Sequence, residues 1–165
     1  MTALAWLSFM LLLGFFFNDL LSKKHNPNQA PLTTESGGQY REVTLKRNQS
    51  GHYVTSGEVN GQPVVFILDT GATGVAIPAD IAKQLKIKRG RPYPVQTANG
   101  TTTSYAARLD SVSVGNIEIT NVEAGIVPGF TGREVLLGMS FLRHIEFTQR
   151  GNTLVLRQYL SGEQP

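Results

Sequence analysis

Five apolar residues, Val64 to Leu68, run directly into Asp69-Thr70-Gly71-Ala72. An apolar run of this length that is rich in β-branched and aromatic residues predicts a buried strand. Gly71 can form a tight turn that leaves Asp69 at the end of that strand, held by a rigid element. A carboxylate in such a place needs either partners or a function, because removing it from water is costly. Asp69 is therefore the first candidate for chemistry in this chain.

Asp69 could hydrolyse an amide if a second carboxyl group lay beside it. One carboxyl group would activate a water molecule and the other would protonate the leaving side. Two such groups ~3 Å apart share one proton, because like charges at that distance cannot both ionise easily. The other aspartates, Asp19, Asp80 and Asp110, are predicted at the end of an apolar segment, at a helix start and in a loop. The simplest second carboxylate is Asp69 of another copy, related by a two-fold axis.

The sequence resembles the retropepsin-like aspartic proteases, and more closely their bacterial members with one N-terminal membrane segment. The resemblance covers roughly Tyr40 to Gln158, and it is carried by Asp69-Thr70-Gly71-Ala72 and by Leu136-Leu137-Gly138. It implies an all-β, retropepsin-like closed barrel or sandwich with one or two short helices. It also implies a homodimeric aspartic endopeptidase that acts on protein or peptide substrates and needs no cofactor.

Within that resemblance, Asp69 is expected to be catalytic, and Thr70, Gly71 and Ala72 are expected to support the active-site loop. The threonine of the motif, Thr70 here, bonds across the dyad in the family. Leu136-Leu137-Gly138 looks like the strand that packs behind this loop. These roles follow from the resemblance.

A mostly polar stretch from Tyr93 to Leu109 centres on Asn99-Gly100, a strong hairpin signal. In the resembled family a hairpin from each subunit, the flap, closes over an extended peptide. The resemblance places Ala98, Asn99 and Gly100 at its tip as substrate-binding residues. An ordinary surface hairpin would give the same pattern, and the glycine-rich tip of viral members is missing, since only Gly100 is present.

The remaining pattern predicts short strands with few helices. A turn is predicted at Asn60-Gly61, and a helix from Pro78 to about Leu85. Further strands are expected at 41–47, 53–59, 75–77, 112–126 and 153–157. A second short helix is expected at 140–144.

The first 39 residues differ in composition from the rest of the chain. Residues 1–21 are almost continuously apolar, and at ~1.5 Å per residue they just cross a ~30 Å hydrocarbon core, which predicts an uncleaved single-pass anchor in the cell (inner) membrane. A cleaved signal peptide is the alternative. Residues 22–39 are polar and predict a flexible linker, and residues 40–160 form the protease domain. Lys23 and Lys24 lean toward a cytoplasmic domain but do not decide its side.

Composition narrows the functional classes further. The 165 residues carry a net charge of +3. They include no cysteine, and this absence excludes disulfides, thiolate nucleophiles and cysteine-bound metals. The three histidines are scattered, so no metal site is expected. Five cations between Lys83 and Arg91 predict a solvated helix end, with phosphate or anionic-lipid contact as the alternative and no nucleic-acid partner. A noncatalytic peptide-binding module on the same fold, tethered to the membrane, and a membrane-tethered scaffold are the other functions considered.

Overall fold

The computed structural model describes residues 2–97, 100–130 and 132–160, and most of this part of the chain is β-structure. The elements follow one another as α1 (Thr2–His25), β1 (Leu32–Ser36), β2 (Tyr40–Lys46), β3 (Val54–Val59), β4 (Gln62–Leu68), β5 (Val75–Pro78), α2 (Ala79–Gln84), β6 (Pro92–Thr97), β7 (Gly100–Val114), β8 (Ile117–Val127), β9 (Val135–Leu137), α3 (Met139–Leu142), β10 (Glu146–Arg150) and β11 (Thr153–Tyr159).

Seven strands form a sheet that closes on itself. Their order is β3-β4-β9-β5-β8-β7-β6, and β3 pairs again with β7 through Glu58↔Ser113 and Val59↔Val112. A second sheet has the order β1-β2-β11-β10. One buried apolar cluster includes residues of both sheets, among them Leu45 and Leu156 from the smaller sheet and Phe66 and Ile126 from the larger one. This all-β barrel confirms the predicted fold class.

The hairpin between β3 and β4 shows why the strand before Asp69 starts where it does. Val59 pairs with Gln62, so Asn60 and Gly61 are the two turn residues. Both have positive φ angles, 51° and 71°, which asparagine and glycine tolerate better than other residues. The predicted Asn-Gly turn is confirmed.

The polar hairpin is formed by β6 and β7, with Pro92 opposite Tyr105 and Thr97 opposite Gly100. Gly100 has a φ of 102°, which favours glycine. The turn was predicted to centre on Asn99-Gly100, but Gly100 is already the first residue of the returning strand. The predicted tip residues Ala98 and Asn99 lie outside the described residues.

Residues 22–39 differ from the flexible linker that their composition predicts. Helix α1 continues to His25, and β1 pairs antiparallel with β2. Between them Asn28 is 3% exposed. Its side-chain amide donates to the carbonyls of Lys46 and Val54 at 2.9 and 2.7 Å, and its side-chain oxygen accepts from the Lys46 N–H at 2.7 Å. The Asn28 side chain thus bonds backbone groups of Lys46 and Val54 as a neighbouring strand would. Low hydrophobicity in this segment therefore does not mean that it lacks structure.

Helix α1 is exposed throughout the part whose side chains are described, and it is mostly apolar up to Phe17. Trp6–His25 is long and apolar enough to cross a membrane. The end of the helix contacts the β-structure directly. The His25 carbonyl accepts from the Asn48 side chain at 2.9 Å, and His25 Nε2 lies 2.8 Å from Glu134 Oε1. Asn26 reaches Ser56 Oγ at 3.1 Å.

Candidate active site

Asp69 follows the last residue of β4, a central strand of the barrel. β4 lies between β3 and β9, and its end is fixed on both sides. The Leu68 N–H donates to the Tyr53 carbonyl at 3.0 Å, and the Asp69 N–H donates to the Leu137 carbonyl at 3.2 Å. The residue itself is exposed. A rigid backbone therefore presents a carboxylate to solvent; its place at the end of a strand agrees with the sequence, whereas its exposure is not expected from the apolar run before it.

The Asp69 side chain is oriented by the turn that follows it. Its Oδ1 accepts a hydrogen bond from the Gly71 N–H at 2.9 Å. Within residues 2–97, 100–130 and 132–160 this carboxylate forms no ion pair. One oxygen is thus held by the protein, and the carboxylate carries no fixed counter-charge from the described part of its own chain.

Gly71 contributes to the loop through space near Asp69 and not through its backbone angle. Its φ is not in the left-handed region, so the turn does not require glycine for its backbone angle. A Cβ at this position would instead lie 3.2 Å from Asp69 Oδ1. A side chain here would therefore require the carboxylate to shift by a few tenths of an ångström from the position in which it accepts the Gly71 N–H.

The second apolar motif lies behind the Asp69 loop, residues 69–74. Strand β9 is parallel to β4, with Leu136 opposite Ile67 and Leu137 opposite Leu68. A Cβ on Gly138 would lie 2.7 Å from the Ala72 carbonyl oxygen, which is closer than real Cβ atoms come. Leu136-Leu137-Gly138 therefore packs against the loop, and its glycine is required by close approach of two backbones.

Thr70 is exposed, and Ala72 is half-buried. The Ala72 N–H donates to the Asp69 carbonyl at 3.3 Å, which closes the turn, and the Ala72 carbonyl accepts from the Met139 N–H at 2.9 Å. Thr70, Gly71 and Ala72 are thus adjacent to Asp69, and Ala72 connects the loop to α3. The Thr70 side chain is exposed to solvent on the same loop as Asp69.

The other aspartates lie on different elements. Asp19 is on α1, where it pairs with Lys23 at 2.7 Å. Asp80 is in the first turn of α2. Asp110 was predicted in a loop, but it lies inside strand β7, with its side chain exposed. Each is held by an element other than the Asp69 loop.

Ser140 is the residue that the sequence reasoning missed. It is 6% exposed, and its hydroxyl oxygen accepts from the Val75 N–H at 3.0 Å. The same hydroxyl donates to the Glu123 carbonyl at 2.7 Å. No pattern in the sequence marks this serine, because its partners are backbone groups on distant strands.

The cations in the last turn of α2 and directly after it are exposed, in agreement with a solvated helix end: Lys83, Lys86, Lys88, Arg89 and Arg91. In the described part of the chain none of them forms an ion pair, and Arg89 lies over the Tyr105 ring at 5.1 Å. Among the described residues no three histidine, aspartate or glutamate side chains are grouped as a metal site requires.

A family model described as "gag-polyprotein putative aspartyl protease" matches residues 55–144, a range that contains Asp69 and Gly138. An uncharacterised protein in the cobV 5′ region of a Sinorhizobium species is 33% identical over 135 residues, which cover 79% of this chain and 58% of that protein. An uncharacterised protein of Rickettsia prowazekii (strain Madrid E) is 30% identical over 124 residues, which cover 72% of this chain and 52% of that protein. The matches thus span little more than half of these curated relatives.

Among solved structures, the crystal structure of a retropepsin-like aspartic protease from Rickettsia conorii matches with a TM-score of 0.61 and 29% identity. The match covers 78% of this chain and 96% of that chain. With a family model covering more than half of its residues and a barrel of this type, the chain belongs to the retropepsin-like aspartyl protease family.

Proposed function

We propose that this protein is an aspartic endopeptidase that hydrolyses peptide bonds with a water molecule activated by Asp69. The observation that carries the proposal is the exposed Asp69 carboxylate at the end of β4, oriented by the Gly71 N–H. Membership of an aspartyl protease family supports the same chemistry. The substrate class is a protein or peptide, and no cofactor or metal is required by the mechanism.

The mechanism needs a second carboxyl group, and we propose that Asp69 of a second copy supplies it in a homodimer. A two-fold axis through the loop would place the two side chains together. They would share one proton, so that one acts as general base toward water and the other as general acid toward the leaving nitrogen. The exposure of Asp69 and Thr70 supports this arrangement, because both remain accessible to a partner.

The neighbouring residues take supporting roles in this proposal. Gly71 orients the carboxylate, Ala72 connects the loop to α3, and Thr70 bonds to the partner across the axis. The hairpin tip at Ala98, Asn99 and Gly100 acts as the flap that covers an extended substrate. Helix α1 tethers the enzyme to the cell membrane, a role supported by a length and composition sufficient to cross a bilayer.

Hydrolysis of a peptide library by the full-length chain in detergent micelles tests the proposal. Asp69→Asn should abolish cleavage, because asparagine cannot accept a proton from water. Asp110→Asn is the matched control, since Asp110 is an exposed aspartate on β7, and it should keep wild-type activity. If both wild type and Asp69→Asn bind peptides without cleaving them, the chain is a peptide-binding module instead.

Dilution tests the homodimer. Specific activity should fall as the protein concentration falls below the dimer dissociation constant, because a monomer holds half of the catalytic pair. Constant specific activity across the range, with sedimentation showing monomers, would place the second carboxyl group in the same chain. Fractionation of cells tests the tether, and recovery of the protein in the soluble fraction would contradict it.

A further inference from the structure

Val75, the first residue of β5, directly follows the Asp69 loop, and Ser140 forms a hydrogen bond with it. The Ser140 hydroxyl accepts from the buried Val75 N–H at 3.0 Å and donates to the Glu123 carbonyl at 2.7 Å. Val75 pairs with Ala124, the neighbour of Glu123 on β8. One hydroxyl therefore joins α3, β5 and β8 at the point where the loop re-enters the barrel.

The residues just before Ser140 hold the rest of the loop. The Leu137 carbonyl accepts from the Asp69 N–H at 3.2 Å, and the Met139 N–H donates to the Ala72 carbonyl at 2.9 Å. The start, the middle and the end of the loop are thus bonded in order to one short segment, Leu137–Ser140. Of these three bonds, the one at Ser140 is made by a side chain, so substitution can remove it alone.

We propose that Ser140 is a positioning residue for Asp69 in the peptidase reaction. Without the hydroxyl, the Val75 N–H and the Glu123 carbonyl lose a buried partner, and the end of the loop must shift to find another. A displacement of about 1 Å at reacting groups can lower a rate by about 100-fold. Ser140 acts through the backbone of the loop and does not touch the substrate. The proposal rests on the peptidase function stated above.

Two readouts on the full-length chain in micelles test it, and the first does not depend on activity. Hydrogen exchange of the amides in 69–75 should be faster in Ser140→Ala than in wild type. In the second readout, kcat should fall about 10- to 100-fold while KM changes less than about threefold, since the substrate contacts remain. Ser140→Thr keeps the hydroxyl and should restore both readouts toward wild type. Ser140→Cys, a weaker acceptor of similar size, should give an intermediate kcat and serves if the alanine variant does not fold.

Thr55→Val is the matched control. Thr55 is fully buried on β3, and its hydroxyl lies 3.2 Å from the Asn28 carbonyl and 3.1 Å from the Ser56 carbonyl, neither of which belongs to the Asp69 loop. This variant should keep the kcat of wild type and normal exchange in 69–75. The proposal is overturned if Ser140→Ala and Ser140→Cys leave exchange and kcat unchanged, or lower kcat no more than Thr55→Val does. An inactive wild type would refute the peptidase function instead, and the exchange of 69–75 would then decide the positioning role.

Discussion

Replacing Asn28 with alanine should destabilise the folded chain by about 2–3 kcal/mol. The side chain makes three hydrogen bonds to the backbone, two to Lys46 and one to Val54, and the residue is 3% exposed. At about 0.5–1.5 kcal/mol for each net hydrogen bond, the three bonds give roughly 3 kcal/mol. Lys46 lies at the exposed end of β2, where water can replace part of the lost hydrogen bonding. The expected loss of stability is therefore about 2–3 kcal/mol and not more.

Thermal unfolding of the full-length chain in micelles, followed by the circular dichroism of the β-structure, measures this loss. The midpoint should fall by about 5–10 °C, since 1 kcal/mol shifts a protein of this size by roughly 2–4 °C. Asn28→Asp should be at least as destabilising, because it places a carboxylate oxygen against two carbonyl oxygens. Gln29→Ala is the control, as Gln29 is exposed and bonds only Ser22 Oγ among the described residues.

The reasoning is refuted if Asn28→Ala melts within about 1 °C of Gln29→Ala while its β-structure is intact. Residues 26–36 would then be a loose tether that happens to lie on the barrel. These residues would then behave as the flexible linker that their composition predicts. A large loss would instead mean that the apolar helix joins the barrel through a fixed segment.

Three more substitutions follow from the surroundings of single residues in the two sheets and the loops between their strands. Gly138→Ala should cost about 1–3 kcal/mol and most of the activity, because its Cβ would overlap the Asp69 loop; melting and peptide cleavage measure both losses. Tyr53→Phe should raise stability by about 1 kcal/mol or leave it unchanged in chemical denaturation, because the buried Tyr53 hydroxyl has no hydrogen-bond partner among the described residues. Glu42→Gln should cost under about 1 kcal/mol, since Arg157 and Glu42 are partly exposed at 2.7 Å, and the cost should shrink with added salt. Contacts with Tyr159 and Glu42 raise the pKa of Arg157, so its charge persists as pH rises and alkali should not weaken this pair before the chain unfolds.

The parts of the site that the sequence predicts are those fixed by local chemistry. The apolar run 64–68 is β4, and Asn60-Gly61 is the turn that starts it. Asp69 follows the strand directly, and Leu136-Leu137 forms the neighbouring strand. Each of these signals lies within a few consecutive residues, where periodicity and turn preference decide the structure.

The parts that the sequence does not predict depend on residues far apart in the chain. Asn28 fills a strand position only because Lys46 and Val54 leave backbone groups unpaired beside it. Asp110 is in a strand because β7 is long enough to pair with both β6 and β8, which no short window reveals. Ser140 bridges two strands through backbone groups, so its residue type carries no signal. Low hydrophobicity and single polar residues cannot distinguish such positions from loops.

The central claim is that two copies of Asp69 form one catalytic pair, and mixing wild-type chains with Asp69→Asn chains tests it most directly. The two proteins are exchanged in micelles at a fixed amount of wild type, and cleavage is measured per wild-type chain. With random pairing, an equal mixture should have about half of the unmixed activity, because half of the wild-type chains then face an asparagine. Excess Asp69→Asn should suppress activity further. Undiminished activity per wild-type chain, with subunit exchange demonstrated, would contradict a dyad shared between two copies.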